Sequence, residues 1–267
     1  MSEPLVRVDG LYKQFGHFTA VNGISFEVAE GSCFGLIGSN GAGKTTTIKI
    51  MTTLLKADAG TVLIAGQNVR LKPSVVRGLI GYVPQSISAD GALTGRENLS
   101  IMAKLYGLSS GERRSRIAAI LPLLDLAEAA DRLTRTYSGG MIRRLEIGQA
   151  ILHRPKLLFL DEPTIGLDPI ARKAIWTYIG SLQKEFGISI ILTTHYMDEA
   201  EQMCSALAIM NHGSIVAHGT LTQLRQLSGQ PEASMDDLFA HFAGSAPSTE
   251  GGMKDVARTR RTIGRLG

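Results

Sequence analysis

The sequence predicts an α/β fold in which a body of alternating strands and helices is interrupted by a helical insert. Short apolar runs such as Leu157–Leu160 have the length of buried strands, and longer segments between them repeat apolar residues at helical spacing. A glycine-rich loop joins one such strand directly to a helix. From about Thr94 to Arg135 the strand patterns stop and helical patterns replace them.

Strands are predicted where apolar and β-branched residues cluster between turn residues. They cover residues 5–8, 21–28, 33–37, 61–66, 79–85, 157–160 and 188–194, and a hairpin over 207–219 turns at Asn211–Gly213. The segment 11–20 is predicted to connect the first two strands.

Helices are predicted where apolar residues recur every three or four positions behind a capping residue or a turn. Their predicted starts are the glycine-rich loop, Thr94, Gly111, Ser138, Asp168, Met197, Thr220 and Ser234. The first of the capped starts is the clearest, because Thr94 and Glu97 have the spacing of a capping box.

Length and composition predict one large domain, or one domain with an appendage. The chain has 267 residues, of which 44% are apolar, and no apolar run approaches the roughly 18 residues that a membrane helix needs. The N-terminus lacks the layout of a signal peptide. We therefore expect a soluble, cytoplasmic protein in which Cys33 and Cys204 are reduced.

The net charge of +4 is concentrated at the C-terminus. Residues 251–267 hold five basic residues against Asp255 alone, so the first 250 residues are neutral overall. A body that binds nucleic acid is not indicated. Residues 245–267 have the composition of a linker and a basic tail, which we expect to be disordered or ordered only against a partner or anionic lipid.

The loop Gly38–Thr45 (GSNGAGKT) has the pattern of a phosphate-binding loop. Its glycines allow the backbone amides to bend around phosphate oxygens. Lys44 supplies a point charge for the β- and γ-phosphates, and the hydroxyl of Thr45 is a ligand for Mg²⁺. The position between an apolar strand and an amphipathic helix is the context that this chemistry requires.

Two carboxylates and a histidine follow predicted buried strands. Asp161 and Glu162 end the strand that begins at Leu157, and His195 ends the strand 188–194. Asp161 is expected to hold Mg²⁺ through water, Glu162 to deprotonate the attacking water, and His195 to sense the γ-phosphate. An acidic turn and a structural histidine are the alternatives, and the upstream phosphate loop weakens them.

Three further features are less specific by themselves. Ser138 before two glycines is a helix cap that also leaves an open anion site. Asp168 before Pro169 is a second cap. Phe15 before Gly16 could stack on a base or pack in the core, and the sequence does not choose between these.

Taken together, these segments resemble the ATP-binding subunit of an ABC transporter, from Leu5 to about Leu227. The motifs that carry the resemblance are, in order, the phosphate loop Gly38–Thr45, the Q-loop glutamine Gln85, the signature Tyr137–Met141, the second nucleotide motif Leu157–Glu162, the D-loop Gly166–Asp168 and the switch histidine His195. Phe15 stands where the family usually places an aromatic residue against adenine.

The resemblance implies a P-loop NTPase core, in which a mixed sheet with flanking helices is joined by an antiparallel β subdomain. The implied division is an ATP-binding domain over residues 1–227 with a helical subdomain at about 94–153, a short helical extension over 228–244, and the tail 245–267. The family usually has Leu and Gln at the first and last signature positions, where this chain has Tyr137 and Met141. This form is familiar from the branch that exports drugs, polysaccharides and lipids, so the resemblance favours export.

The resemblance also assigns roles. The implied catalytic residues are Glu162, His195, Gln85 and Lys44. The implied ATP-binding residues are Phe15, Val21, Gly38, Ser39, Asn40, Gly41, Ala42, Gly43, Lys44, Thr45, Thr46, Ser138, Gly139, Gly140 and Asp168. The implied Mg²⁺ site consists of Thr45, Gln85 and Asp161.

The implied assembly is a head-to-tail dimer with two ATP molecules between the copies, attached to separate membrane permease subunits at the cytoplasmic face. Two alternatives remain open: a soluble ATPase of the same superfamily in DNA repair or translation, and a regulatory subunit that binds nucleotide without hydrolysis. Only about fifty residues separate Gln85 from Tyr137, too few for the long coiled coil of repair members. The sequence does not determine which substrate is transported, and it does not fix the direction of transport.

Overall fold

Two β-sheets and a helical layer organise the chain, whose computed structural model describes residues 3–244. The strands are β1 (Val6–Phe15), β2 (Phe18–Val28), β3 (Cys33–Gly38), β4 (Ala59–Ile64), β5 (Gln67–Asn68), β6 (Ile80–Val83), β7 (Leu157–Asp161), β8 (Ser189–Thr194), β9 (Ala206–Asn211) and β10 (Ser214–Gly219). The helices are α1 (Lys44–Met51), α2 (Pro73–Leu79), α3 (Gly95–Leu105), α4 (Ser110–Leu123), α5 (Gly139–Ile151), α6 (Pro169–Phe186), α7 (Met197–Met203), α8 (Leu221–Ser228) and α9 (Met235–Ala243). The predicted tail 245–267 lies outside the described residues.

The larger sheet has the strand order β10-β9-β3-β8-β7-β6, and all of its neighbouring pairs are parallel except β9 with β10. Strands β3, β7 and β8 are buried along their whole length, which explains their continuous apolar sequences. Because parallel strands end at the same edge, the segments after Gly38, Val83, Asp161 and Thr194 meet there. This edge carries the candidate site.

The smaller sheet is antiparallel, with the order β2-β1-β4-β5. Strands β1 and β2 form a hairpin in which Phe15 pairs with Phe18, so the segment 11–20, predicted to be a connection, is mostly strand. Register shifts near Leu11 and Lys13 break the apolar alternation on which the prediction depended. Lys13 instead forms an ion pair with Asp58 at 2.8 Å, a contact that local sequence does not reveal.

The helical subdomain is built from α3, α4 and α5 around a shared apolar core. Capping boxes start α3 at Thr94 and α4 at Ser109. Within the stretch 111–133, predicted to be helical, the helix ends at Leu123 and Asp125 takes a left-handed conformation with φ 52°. The residues beyond it turn back and bury Leu126. The short helix α2 was not predicted, because only Val76 of its residues is buried and its apolar pattern is weak.

The last two described helices pack against the body. Leu224 of α8 and Leu238 of α9 are fully buried in a core that also contains Ile37 and Ile209 of the larger sheet. The backbone oxygen of Ala243 accepts a hydrogen bond from Asn211 at 2.8 Å. The segment 228–244 is therefore in contact with the sheet that carries the candidate site.

Tyr137, one of the departures from the usual signature, is a packing residue of the helical subdomain. Its side chain is buried, and its hydroxyl donates to the backbone oxygen of Ala129 at 2.6 Å. The Tyr137 ring fits only because residue 95 is glycine. A Cβ on Gly95 would overlap the Tyr137 hydroxyl and lie 3.3 Å from its Cζ. The tyrosine and the glycine are thus sterically complementary.

This packing predicts opposite effects for two glycine-to-alanine changes. Gly95→Ala should lower the free energy of unfolding by about 1–3 kcal/mol, because it overpacks the buried Tyr137 ring. Gly180→Ala, on α6 with no atom within 4 Å of the new Cβ, should raise it by up to about 1 kcal/mol. Denaturant unfolding measures both. In the double variant, Tyr137→Leu should reduce the loss of unfolding free energy that Gly95→Ala causes. If Gly95→Ala and Gly180→Ala raised the free energy of unfolding equally, the packing described here would be contradicted.

Candidate ATP-binding and hydrolysis site

The loop between β3 and α1 wraps around the Lys44 side chain. The Lys44 ammonium donates to the backbone oxygens of Gly38 at 2.8 Å and Ser39 at 3.1 Å. Gly43 has φ 104°, and a Cβ there would overlap the backbone oxygen of Ala20, so only glycine fits. Burial lowers the pKa of Lys44, although the nearby Glu162 and Asp161 oppose that effect. The loop therefore holds a buried cation at the base of a bent backbone.

Glu162 is the residue on which the predicted catalytic groups converge. Its Oε1 lies 3.4 Å from Lys44 Nζ, and its Oε2 accepts a hydrogen bond from Gln85 Nε2 at 3.2 Å. His195 Nδ1 lies 3.3 Å from Oε2, in contact but without the alignment of a hydrogen bond. The Glu162 side chain is 6% exposed. Its backbone has φ 48°, an uncommon conformation for a residue with a side chain.

The Glu162 backbone is held in this conformation by β8. Its amide donates to both the backbone oxygen and the hydroxyl of Thr193, at 3.1 Å and 3.0 Å. Thr193 in turn donates its hydroxyl proton to Asp161 Oδ1 at 2.6 Å. Thr193 thus orients both carboxylates, a role that the sequence analysis missed because its side chain lies within a strand that was interpreted as packing.

Asp161 and Thr45 have a donor set that fits Mg²⁺. Thr45 Oγ1 lies 3.3 Å from Asp161 Oδ1, and Asp161 Oδ2 is buried without a hydrogen-bond partner among residues 3–244. Burial is the main reason why the pKa of Asp161 is raised. Two buried carboxylates face one buried lysine here, so a divalent cation would offset the excess negative charge. Carboxylate and hydroxyl oxygens are ligands that Mg²⁺ prefers.

A cavity of about 330 Å³ opens above the loop. Its lining consists of Phe18, Ala20, Asn40, Gly41, Ala42, Gly43, Lys44, Thr45, Thr46, Gln85 and Glu162. Val21 is fully buried in β2. Phe15 is 47% exposed and its ring lies 5.3 Å from Lys13 Nζ. Phe18, which the sequence analysis did not single out, is 61% exposed at the hairpin end beside Phe15.

The signature and D-loop residues are adjacent to each other but do not line this cavity. Ser138 caps α5 and accepts from the Met141 amide at 3.3 Å, and Asp168 caps α6. A Cβ on Gly139 would lie 3.2 Å from the Leu167 side chain, whereas Gly140 faces the more distant Ala171. The structure therefore separates the predicted ATP-binding residues into two groups on one chain.

A buried ion pair fixes the segment around Gln85 to the helix that starts at the signature. Arg143 on α5 donates to the backbone oxygens of Pro84 at 2.8 Å and Gln85 at 3.1 Å, and it pairs with Glu146 at 3.0 Å. Glu146 also accepts from the backbone and side chain of Ser88. The three-residue spacing of opposite charges within an apolar helix is a signal that could have identified this pair.

Comparisons with a family model, with related proteins and with solved structures all give matches. The family model described as ABC transporter matches residues 21–165. The chain is 42% identical over 224 residues to the daunorubicin/doxorubicin resistance ATP-binding protein of Streptomyces peucetius, covering 84% of this chain and 68% of the relative. It is 40% identical over 220 residues to the linearmycin resistance ATP-binding protein of Bacillus subtilis (strain 168), covering 82% and 70%.

Among solved structures, the chain is similar to one described as the ATP-binding subunit of an ABC transporter. The TM-score is 0.80 at 33% identity, and the alignment covers 89% of this chain and 99% of the other. The fold predicted from the sequence is thereby confirmed. This chain belongs to the ABC transporter family and is one of its ATP-hydrolysing subunits.

Proposed function

We propose that this chain powers export of a small molecule through separate membrane subunits, and that two copies close around ATP to do so. The observation that carries the hydrolytic part is the contact of Glu162 with Lys44, Gln85 and His195. The direction of transport is supported by relatives whose names refer to drug resistance and to Nod factor export.

In the proposed reaction, the triphosphate of ATP lies in the cavity above the loop, and Lys44 turns from the backbone oxygens and Glu162 to the β- and γ-phosphates. Adenine stacks at the end of the β1–β2 hairpin, where the Phe15 and Phe18 rings are exposed. Thr45, Asp161 and Gln85 would hold Mg²⁺, which would supply positive charge to neutralise the phosphates.

Glu162 then accepts a proton from water as the water oxygen attacks the γ-phosphorus. The bond from that phosphorus to the β–γ bridging oxygen breaks, and ADP leaves with the electron pair. Gln85 orients the attacking water, and His195 contacts the γ-phosphate. Moving Lys44 away releases Glu162 from its ion pair, so ATP binding itself prepares the base.

The signature and D-loop residues do not line the cavity of their own chain, and in this proposal they complete the site of the second copy. Ser138, Gly139 and Gly140 present the open amides of the α5 N-terminus, which favour an anion. Ile170, next to the D-loop, is 83% exposed, as expected of a residue that a partner covers. Exclusion of water by the partner strengthens each contact with the γ-phosphate.

The membrane subunit is proposed to dock near the Gln85 segment and α3. Ile87, Ile101 and Leu105 are 64%, 47% and 74% exposed, and the last two lie one turn apart on α3. None of the helices described over residues 3–244 is long and apolar enough to cross a bilayer. In this proposal the chain lies at the cytoplasmic face, attached to its permease. The Arg143–Glu146 pair transmits closure to this surface.

Replacing the proposed base should remove turnover and leave binding intact. Glu162→Gln should keep ATP affinity and lower kcat by roughly 10²–10⁴, the usual contribution of general base catalysis. Steady-state ATPase assays and nucleotide titration measure the two effects. Glu30→Gln, the same change at an exposed site, is the control. Equal turnover of wild type and Glu162→Gln would disprove the assignment.

A complementation assay tests the shared site. Lys44→Ala disables the phosphate loop, and Ser138→Arg blocks the signature that faces the partner. Each homodimer then has two defective sites, but a mixed dimer regains one intact site from Lys44 of one copy and Ser138 of the other. We expect mixing to restore ATPase activity that neither variant has alone. No recovery, with mixed dimers confirmed by differential tags, would show that the site belongs to one subunit.

A further inference from the structure

A second buried carboxylate lies behind the proposed catalytic site. The Glu199 side chain is fully buried, and its Oε1 accepts hydrogen bonds from Trp176 Nε1 at 2.8 Å and Thr164 Oγ1 at 3.0 Å. Its Oε2 is buried without a hydrogen-bond partner in the described part of the chain. Burial is the main cause of the raised pKa of Glu199. Packing alone does not call for a carboxylate here, since burying one costs free energy.

Thr164, Trp176 and Glu199 belong to segments that are continuous with different parts of the site. Thr164 lies two residues after Glu162, in the segment that continues to the D-loop Gly166–Asp168. Trp176 lies on α6, which Asp168 caps. Glu199 lies in the first turn of α7, which begins just after His195 and Tyr196. The carboxylate therefore connects the D-loop segment with the helix that follows the switch histidine.

A second set of contacts holds the same two helices together. The Arg172 guanidinium of α6 lies 3.9 Å from the centre of the Tyr196 ring, a cation–π contact. It also lies 3.9 Å from Asp198 Oδ2. The Tyr196 ring in turn packs on the His195 ring, with centroids 4.1 Å apart. These contacts form a continuous path from α6 to the side chain of His195.

We propose that Glu199 is a positioning residue that couples the D-loop to His195. When the second copy contacts the D-loop, Thr164 moves with it, Glu199 shifts α7, and His195 is aligned with Glu162 and the γ-phosphate. Hydrolysis then proceeds only when both copies are closed. The inference deepens the proposed function and rests on the role of His195 given there.

The test removes the hydrogen bond from Thr164 to Glu199, which joins the D-loop segment to α7. Thr164→Val keeps the shape of the side chain and deletes the hydroxyl that donates to Glu199. We expect kcat to fall roughly 10- to 100-fold, the range of a hydrogen bond to a charged group, with the KM for ATP unchanged. Glu199→Gln, which keeps an oxygen acceptor at the same place, should retain most of the turnover, unlike Glu199→Ala.

Thr52→Val is the matched control for loss of a buried hydroxyl. Thr52 is also buried and donates one short hydrogen bond, to the Ile48 oxygen at 2.8 Å, but it lies at the far end of α1. The Thr52→Val substitution should lower Tm and leave kcat unchanged. A Thr164→Val protein that loses only Tm, as this control does, would overturn the proposal.

A double-mutant cycle shows whether the effect acts through His195. In single-turnover assays with protein in excess, Thr164→Val should cause no further loss in a His195→Ala background. Additive losses would overturn the coupling. Full turnover of Thr164→Val beside an impaired His195→Ala would reject this inference alone, whereas full turnover of His195→Ala would reject the proposed role of the switch histidine and the coupling with it.

Discussion

The structure depends on one buried carboxylate, that of Glu162. A charge taken out of water is tolerated only where opposite charge and hydrogen-bond donors surround it. The charge comes from Lys44 after β3 and the hydrogen bond from Gln85 after β6, and His195 after β8 lies against the same carboxylate. The loops at this edge of the sheet must therefore converge on one point. The same requirement keeps Glu162 in its left-handed backbone conformation, with Thr193 accepting from its amide.

Buried carboxylates recur at each junction between the moving parts of the proposed mechanism. Glu146 ties the Gln85 segment to α5, and Glu199 ties the D-loop segment to α7. Each accepts hydrogen bonds from a segment far away in sequence, so each specifies a geometry that apolar packing would leave loose. In the proposed mechanism, these directional contacts would carry signals from the partner copy and from the membrane subunit to Glu162.

Much of the fold was predictable because its signals are local. The capping residues Thr94, Ser138, Asp168, Thr220 and Ser234 all start helices in the structure. The buried parallel strands were found because both of their faces are covered, which makes their sequences continuously apolar. Only the inner part of the β1–β2 hairpin was predicted. In its outer part, register shifts break the apolar alternation, and the strand contacts Asp58, which is distant in sequence. The helix α4 ends at Leu123 because the next residues turn to bury Leu126, a tertiary effect.

For the site, the sequence by itself predicted the phosphate loop, the two carboxylates after β7 and the order of the nucleotide motifs, because each of these motifs is a short contiguous segment of the chain. The tertiary structure decided which groups meet. It placed Lys44, Gln85 and His195 on Glu162, added Thr193 and Phe18, and kept Ser138 and Asp168 away from this chain's own cavity. The physical reason is that the partner of a buried charge is chosen by distance in space, and strand order sets that distance.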